Sequence, residues 1–280
     1  GNSWTSLVSS CAMLISMLMW PFLINYYNKR LKKKRREEII VKYGKYLDEK
    51  REELRIETKL QRDILIENLI TTEECLNIIK NRGINFWDKR VDQSDFLVVR
   101  IGMGNELLDA KVEYPEEGFT VDDDELRKQA DKMVEEFKYI ENVPVSYSLY
   151  DNKVTAIMGV TREKSLNFVN NIILQLITFY SYEDLKLVLF TNEDNVSNWE
   201  YLKYLNHTFT NERNFRFFSS TIETAKNVSE YLNIIINNRF IGAKNNKDNN
   251  FKPHYVIIID DYSRVKKYEF IKTLTESDDN

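Results

Sequence analysis

The sequence predicts an α/β protein in which a transmembrane helix and a helical stalk precede a doubly wound sheet, truncated at its C-terminal end. Three observations lead to this prediction. An uncharged, mostly apolar segment lies at 4–24, a charged segment with helical spacing follows at 29–70, and strand-like and helix-like segments alternate from about 145 onward. Alternating strands and helices imply parallel strands joined by right-handed crossovers.

The apolar segment predicts a transmembrane helix at residues 1–27. No charged residue occurs from 4 to 24, and about 20 apolar residues suffice to cross the hydrocarbon core. Trp4 and Trp20 stand near its two ends, where interfacial aromatic residues belong. A buried helix of a soluble protein and a helix lying in the interface are the alternatives. Because the chain opens inside this segment, we expect residues upstream, among them another membrane helix.

A basic cluster follows at once, with seven Lys and Arg residues in the eight positions 29–36. The positive-inside rule therefore places the C-terminal part in the cytoplasm. Without this cluster the 40 basic residues fall to 33, against 44 acidic ones, which leaves a net charge of -11. Such a surface argues against general nucleic-acid binding, because neutralisation of phosphates supplies most of the non-specific affinity.

Residues 28–84 are predicted to form a cytoplasmic helical stalk. Acidic and basic residues alternate there at helical spacing, and a thin apolar stripe runs between them. The stripe consists of Ile39, Ile40, Tyr43, Tyr46, Leu47, Leu54 and Ile64. Thr71 and Glu74 have the spacing of a capping box and open a short helix that ends near Gly83.

The remaining residues, 85–280, are predicted to form one membrane-proximal domain. Its first part is expected to contain a hairpin with strands at 96–101 and 110–114, joined by a turn at Gly102 and Gly104, followed by a helix at 126–140 and a strand at 145–150. The second part is expected to contain strands at 154–158, 185–190, 215–218 and 255–259, with helices at 164–180 and 222–240. A closing strand is expected beyond Asn280.

The turn between the strand at 154–158 and the following helix is a candidate nucleotide site. A phosphate loop reads G-x-x-x-x-G-K-[ST], since its second glycine lets backbone N–H groups approach the phosphates and its lysine meets the β and γ oxygens. This chain reads Gly159-Val-Thr-Arg-Glu-Lys-Ser165. If Lys164 and Ser165 take the Lys and Ser roles, the loop is one residue short and Glu163 replaces the glycine. If the spacing is kept, Ser165 replaces the lysine. In either alignment the loop lacks a residue that a phosphate loop needs in order to bind the phosphates.

Two carboxylates complete the candidate site. Asp260 and Asp261 follow the apolar strand at 255–259, where one carboxylate could hold Mg²⁺ through water and the next could stand in the place of a catalytic glutamate. The alternative is that both face solvent at the end of a strand. The candidate cofactor-binding residues are thus Gly159, Lys164, Ser165, Asp260 and Asp261. No catalytic residue and no metal site is predicted, because His207 and His254 have no second ligand nearby in the sequence.

Several short motifs resemble a known family. They are Trp87-x-x-Arg90, Asp95-Phe96-Leu97-x-x-Arg100, Gly102-x-Gly104, the span from Trp199 to His207 and the strand ending at Asp261. In order and spacing they resemble the membrane-proximal segment of type VII (ESX, Ess) secretion ATPases, the EssC/EccC/YukB group of FtsK/SpoIIIE-type proteins. In that group an ATPase-like domain with an eroded phosphate loop lies next to the membrane. The resemblance implies a degenerate, P-loop NTPase-like (RecA/FtsK-like) fold here.

The resemblance also implies a function. It indicates a hexameric membrane motor that moves small helical WXG100-type substrates and contacts other type VII membrane subunits. ATP and Mg²⁺ would bind to downstream modules, while this segment would anchor and couple them at the bacterial cell membrane without hydrolysing ATP.

Three alternatives remain at this point. An FtsK/SpoIIIE-type DNA translocase would share the fold but is disfavoured by the acidic charge. An independent enzyme would use Lys164, Asp260 and Asp261. A membrane scaffold without any motor would need none of these residues.

Overall fold

The computed structural model describes residues 3–110, 124–245 and 251–276. The helices in these ranges are α1 (Ser3–Asn68), α2 (Thr72–Asn81), α3 (Asp124–Glu136), α4 (Arg162–Phe179), α5 (Ile222–Asn245) and α6 (Glu269–Glu276). The strands are β1 (Val98–Leu107), β2 (Tyr139–Ser148), β3 (Leu185–Phe190), β4 (Phe218–Ser219) and β5 (His254–Ile259). Short 3₁₀ helices lie at Val196–Tyr204, Asn206–Thr208 and Tyr262–Arg264.

The chain divides into two units. The first contains Gly1–Leu65 and Asn105–Val143, and the second contains Ile66–Gly104 and Pro144–Asn280.

The predicted transmembrane helix at residues 1–27 is wrong. Within the described ranges, no helix is apolar over a length sufficient to cross a membrane. Residues 3–27 are instead the beginning of α1, which continues without interruption to Asn68. The apolar segment is thus the start of a helix that passes directly into the charged segment.

The charged segment from residue 29 onward forms the remainder of α1 to Asn68, and part of its apolar stripe packs against α3. Leu47 and Leu54 of α1 are buried against Ala130 and Met133 of α3, and Tyr43 packs on the edge of this cluster. Since 43, 47 and 54 are separated by four and seven residues, their side chains share one face of the helix. The other members of the predicted stripe remain exposed: Ile39, Ile40, Tyr46 and Ile64.

Polar contacts at the end of the first unit attach α1 to the chain on either side of α3. The Gln61 side chain donates to the Leu107 carbonyl over 3.0 Å and accepts from the Asp109 N–H over 2.8 Å. Arg62 donates to the Glu141 carbonyl over 2.9 Å. One amide side chain thereby satisfies both a donor and an acceptor of neighbouring backbone.

The predicted hairpin with a turn at Gly102 and Gly104 is wrong, because β1 and β2 form the small sheet instead. Gly102 and Gly104 lie within β1 rather than in a turn, and β1 pairs with β2. A Cβ atom at Gly104 would stand 2.8 Å from Val145 Cγ2 of β2, so the glycine allows the close approach of a neighbouring strand. The predicted partner strand at 110–114 lies, apart from residue 110, outside the described residues.

The second unit contains a three-stranded parallel sheet in the order β4-β3-β5. The register places Leu185 opposite His254 and Phe190 opposite Ile259. All six residues of β3 are buried, as expected for a central strand with helices on both faces.

Alternation along β3 distributes its side chains between two cores. Leu185, Leu187 and Leu189 join the core that contains Ile173 and Leu176 of α4. Val188 and Phe190 join a second core. Its contributions from α5 and α6 include Ala225, Val228, Leu232, Phe270 and Ile271. The period of two in a strand is the reason that one continuous apolar run supplies both layers.

The α/β class and the parallel pairing are therefore present, but the predicted doubly wound sheet is too large. Residues 154–158 form no strand, and Val154 and Met158 are 64% and 94% exposed. The predicted strand at 145–150 belongs to the two-stranded sheet. A short apolar run forms a strand only where a neighbouring strand provides its hydrogen-bond partners. The local sequence does not show whether such a strand lies nearby in the fold.

Candidate functional site

The segment expected to cradle a phosphate is the start of α4. Thr161 caps this helix, since its hydroxyl accepts a hydrogen bond from the Lys164 N–H over 3.3 Å. The Ser165 N–H and hydroxyl both donate to the Thr161 carbonyl, over 3.2 and 3.4 Å. Backbone N–H groups at a helix N-terminus bind phosphate when they are free. Here the Thr161 hydroxyl already occupies one of them, the Lys164 N–H, while the Ser165 N–H makes the first hydrogen bond within the helix.

Gly159 lies against the same turn. A Cβ atom at this position would overlap the Ser165 hydroxyl and would come within 3.1 Å of the Thr161 carbonyl oxygen. The glycine is therefore required for close packing of the loop on the first turn of α4.

Asp260 stands at the carboxyl end of β5 and is bound by Arg162, the first residue of α4. Arg162 donates to both of its carboxylate oxygens, over 2.7 and 2.9 Å. The Thr191 hydroxyl, just beyond β3, donates to Oδ2 over 2.7 Å. The Asp260 side chain is 6% exposed, whereas that of Arg162 is 48% exposed. A guanidinium and a hydroxyl thus surround the carboxylate that was expected to hold Mg²⁺.

Asp261 is engaged by a different set of donors. Asn192 donates to its Oδ2 over 3.0 Å, and the Ser263 N–H and hydroxyl donate to its Oδ1. The hydrogen bonds from Ser263 and Asn192 lower the pKa of Asp261 below its ordinary value. Its carboxylate caps the 3₁₀ helix Tyr262–Arg264. It therefore has a structural role at the position where a catalytic glutamate was considered.

The structure brings together some of the predicted site residues and separates others. Gly159 and Ser165 are in contact, and the loop they belong to reaches Asp260 through Arg162. The Lys164 side chain is exposed and takes no part in this contact. In this arrangement the residues do not fit a magnesium-bound nucleotide, because both carboxylates and the Lys164 N–H are hydrogen-bonded to groups of the chain.

Sequence reasoning missed Arg162, Thr191 and Asn192. Arg162 was treated only as a spacer within the phosphate-loop pattern. Thr191 and Asn192 follow β3 directly, and the carboxyl ends of adjacent parallel strands meet at one edge of a sheet. The polar residues directly after β3 could therefore have predicted the hydrogen-bond partners of Asp260 and Asp261.

The motif around Trp87 is structural in this chain. The Trp87 indole N–H donates to the Ile177 carbonyl over 3.0 Å, and its ring stacks on Phe86 at 4.5 Å between centroids. Arg100 donates to the Leu69 carbonyl over 2.9 Å. Asp95 pairs with Lys89 over 2.7 Å. These contacts attach the segment before β1 to α4 and order the chain around it.

Known proteins resemble this chain. No family profile matches it. It is 28% identical over 243 residues to the type VII secretion system protein EssC of Staphylococcus aureus (strain NCTC 8325 / PS 47), covering 85% of this chain and 16% of that protein. It is 23% identical over 260 residues to the ESX secretion system protein EccC of Geobacillus thermodenitrificans (strain NG80-2), covering 90% of this chain and 17% of that protein. The resemblance to the EssC/EccC group is confirmed.

The EssC/EccC-like chain spans about one sixth of the length of these relatives, given the 16% and 17% covered. It is thus similar to a limited segment of type VII secretion proteins. The similarity extends across most of the present chain.

The Arg162 to Asp260 ion pair makes a measurable prediction for the EssC/EccC-like chain. Arg162→Ala leaves a buried carboxylate with only the Thr191 hydroxyl as partner, and we expect the free energy of unfolding to fall by about 1–2 kcal/mol. The half-exposed position of Arg162 keeps the effect below that of a fully buried pair. Urea denaturation measures it, and Asp260→Asn with the double variant completes a thermodynamic cycle.

Arg264→Ala is the matched control for this prediction. The Arg264 Nε atom stands 3.9 Å from Asp261 Oδ2, too far for a good hydrogen bond. We expect its removal to change stability by less than about 0.5 kcal/mol. If both alanine variants lost the same free energy of unfolding, the contact of Arg162 with Asp260 would contribute no more to stability than an ordinary surface contact.

Proposed function

We propose that this segment is a non-hydrolytic part of a type VII secretion motor at the bacterial cell membrane. Residues 28–84 serve as its stalk and residues 85–280 as its coupling domain. The segment transmits force or signal between ATPase modules of the full-length protein and the secretion channel. The similarity to EssC and EccC supports the secretion role.

The observation that carries the non-hydrolytic part is the bidentate contact of Arg162 with Asp260. Phosphoryl transfer needs a metal ion that bridges the β and γ oxygens and free donors that hold the phosphates. A guanidinium on the carboxylate and a capped helix N-terminus supply neither. ATP and Mg²⁺ are accordingly assigned to other modules of the full-length protein.

The proposal includes partners as well. The full-length protein would assemble with copies of itself as a hexamer and with other type VII membrane subunits, and it would move small helical WXG100-type substrates.

Calorimetry on the 280-residue chain tests the first part of the proposal. Titration with millimolar magnesium-ATP should release no binding heat, and a phosphate-release assay should stay at the level of a protein-free control. Turnover that disappears in the Lys164→Ala variant would refute the non-hydrolytic role.

A secretion assay tests the second part. In cells that carry the substituted full-length gene, Lys164→Ala should leave the export of a small helical substrate unchanged, since its side chain is exposed. Arg162→Glu places a second acidic group against Asp260 and should lower export. An unchanged level with Arg162→Glu, in protein that accumulates normally, would contradict the coupling role of this contact.

A further inference from the structure

An open cleft of about 400 Å³ lies in the second unit, away from the Asp260 site. One wall is formed by the hairpin residues Phe209, Arg213 and Arg216, and the other by Thr224, Asn227 and Val228 near the start of α5. We call it the arginine cleft. The base is closed by the buried side chains of Phe218 and Val228.

The hairpin wall is held by its own hydrogen bonds. A bridge pairs Phe209 with Arg216, and the Thr210 N–H donates to the Phe215 carbonyl over 3.0 Å. Arg213 occupies the left-handed region with φ of 57° at the turn. The turn therefore presents Arg213 and Arg216 in a defined geometry rather than on a loose loop.

Both arginines lie over one aromatic ring. The guanidinium carbon is 5.4 Å from the Phe209 centroid for Arg213 and 4.7 Å for Arg216. Lys203 also stacks on a ring, at 5.2 Å from the Phe218 centroid, but it is paired with Glu200 over 3.5 Å. Stacking on a ring orients a guanidinium and leaves its N–H groups available at the edge.

The donors of the two arginines are largely unused. Arg213 donates to Asn206 Oδ1 over 2.6 Å. Across the described ranges, no carboxylate lies within salt-bridge distance of either guanidinium. Two guanidinium groups without a carboxylate partner in the described ranges are unusual in a chain whose net charge is -11 outside the basic cluster at 29–36.

The chemistry of the cleft selects its occupant. Arginine forks match carboxylates in bidentate geometry, while the Phe209 and Phe215 rings offer apolar contact beside them. Nucleic acid carries a charge at every phosphate and would meet more repulsion from the acidic remainder of the chain than a short segment with two carboxylates. A protein segment that combines carboxylates with an apolar side chain satisfies both parts of the cleft.

We propose that the arginine cleft binds an acidic segment of a partner protein. Its carboxylates pair with Arg213 and Arg216, and an adjacent apolar side chain packs on the phenylalanine rings. This surface is separate from the Asp260 site, so the proposal does not depend on whether that site binds nucleotide.

Fluorescence anisotropy on the full 280-residue chain tests the proposal. The probe is a short fluorescein-labelled peptide in which glutamates flank a leucine and a phenylalanine. We expect it to bind, to weaken with added salt, and to lose at least about tenfold in affinity in the double variant Arg213→Glu/Arg216→Glu. A peptide with glutamine in place of glutamate should bind at least about tenfold more weakly.

Lys266→Glu/Lys272→Glu is the matched control, because it makes the same change in net charge at exposed positions outside the cleft. Its affinity should stay within about twofold of the parent chain. Thermal denaturation checks folding, and Arg213→Gln/Arg216→Gln replaces the charge-reversal variant if the latter does not fold.

Several results would overturn the proposal. They are absence of peptide binding, equal binding of the glutamine peptide, and an equal loss in the lysine control. Tighter binding of labelled oligothymidylate, lost in the arginine variant, would assign the cleft to nucleic acid instead. Self-association in analytical ultracentrifugation that the arginine substitutions abolish would assign it to a second copy of the chain.

Discussion

Replacing Trp199 with alanine is expected to lower the free energy of unfolding by about 3–5 kcal/mol. Trp199 is 1% exposed and lies in the core formed by α4 and β3, together with Leu176 and Leu187. Alanine would leave a large cavity there, and the surrounding structure relaxes only in part. Urea denaturation followed by far-UV circular dichroism measures the loss.

The Trp199→Phe variant separates packing from hydrogen bonding. In the described structure the buried Trp199 indole N–H has no hydrogen-bond partner, and phenylalanine removes that unsatisfied donor while keeping most of the ring. We therefore expect Trp199→Phe to cost no more than about 2 kcal/mol.

Tyr204, in the same 3₁₀ helix and 78% exposed, provides the control. Tyr204→Ala should change stability by less than about 0.5 kcal/mol. If Trp199→Ala cost no more than the tyrosine control, Trp199 would have to act through something other than core packing.

Acid is expected to destabilise the chain between pH 6.5 and about 4 through His207. Its Nε2 atom hydrogen-bonds the Tyr180 carbonyl over 2.9 Å, and it is 4% exposed. Burial, together with the nearby Lys186 cation, lowers the pKa of His207 from 6.5 to about 4. The folded state thus disfavours the protonated ring.

The direction follows from proton binding. The unfolded chain takes up a proton at His207 near its ordinary pKa of 6.5, before the folded chain does. The destabilisation is absent above pH 6.5, grows as the pH falls, and is complete below about 4. It amounts to about 3 kcal/mol. Burial also lowers the pKa of His254, which adds to the effect in the same direction.

Urea denaturation at pH 7.0, 6.0 and 5.0 measures this dependence. These values were chosen because few ordinary carboxylates titrate above pH 5. His207→Gln keeps a donor for the Tyr180 carbonyl and does not titrate, so its stability should fall less steeply with acid. The His254→Gln variant is the comparison for the second histidine. A His207→Gln slope as steep as that of the parent chain would exclude His207 as the cause.

Local sequence patterns predicted the elements of the second unit well. The runs at 185–190 and 255–259 became β3 and β5, and the helices at 164–180 and 222–240 became α4 and α5 with shifted ends. Each of these segments carries its own periodicity, which reports the faces it must bury. The run at 154–158 has similar apolar content and forms no strand, since no neighbour pairs with it.

The candidate site shows a different limit. Asp260 was identified from its place after β5, but its partner Arg162 is 98 residues away in the chain. The sequence was compatible with metal binding by the Asp260 carboxylate and equally with a structural ion pair. The contact with Arg162 depends on how the loop before α4 returns to the edge of the sheet.

The sequence by itself determined the α/β class and the parallel strands, because composition and periodicity act over a few neighbouring residues. The tertiary structure decided that α1 is one continuous helix, that Arg162 binds Asp260, and that Arg213 and Arg216 meet on Phe209. Long-range contacts depend on the whole path of the chain, so the partner of a charged side chain becomes known only once that path is fixed.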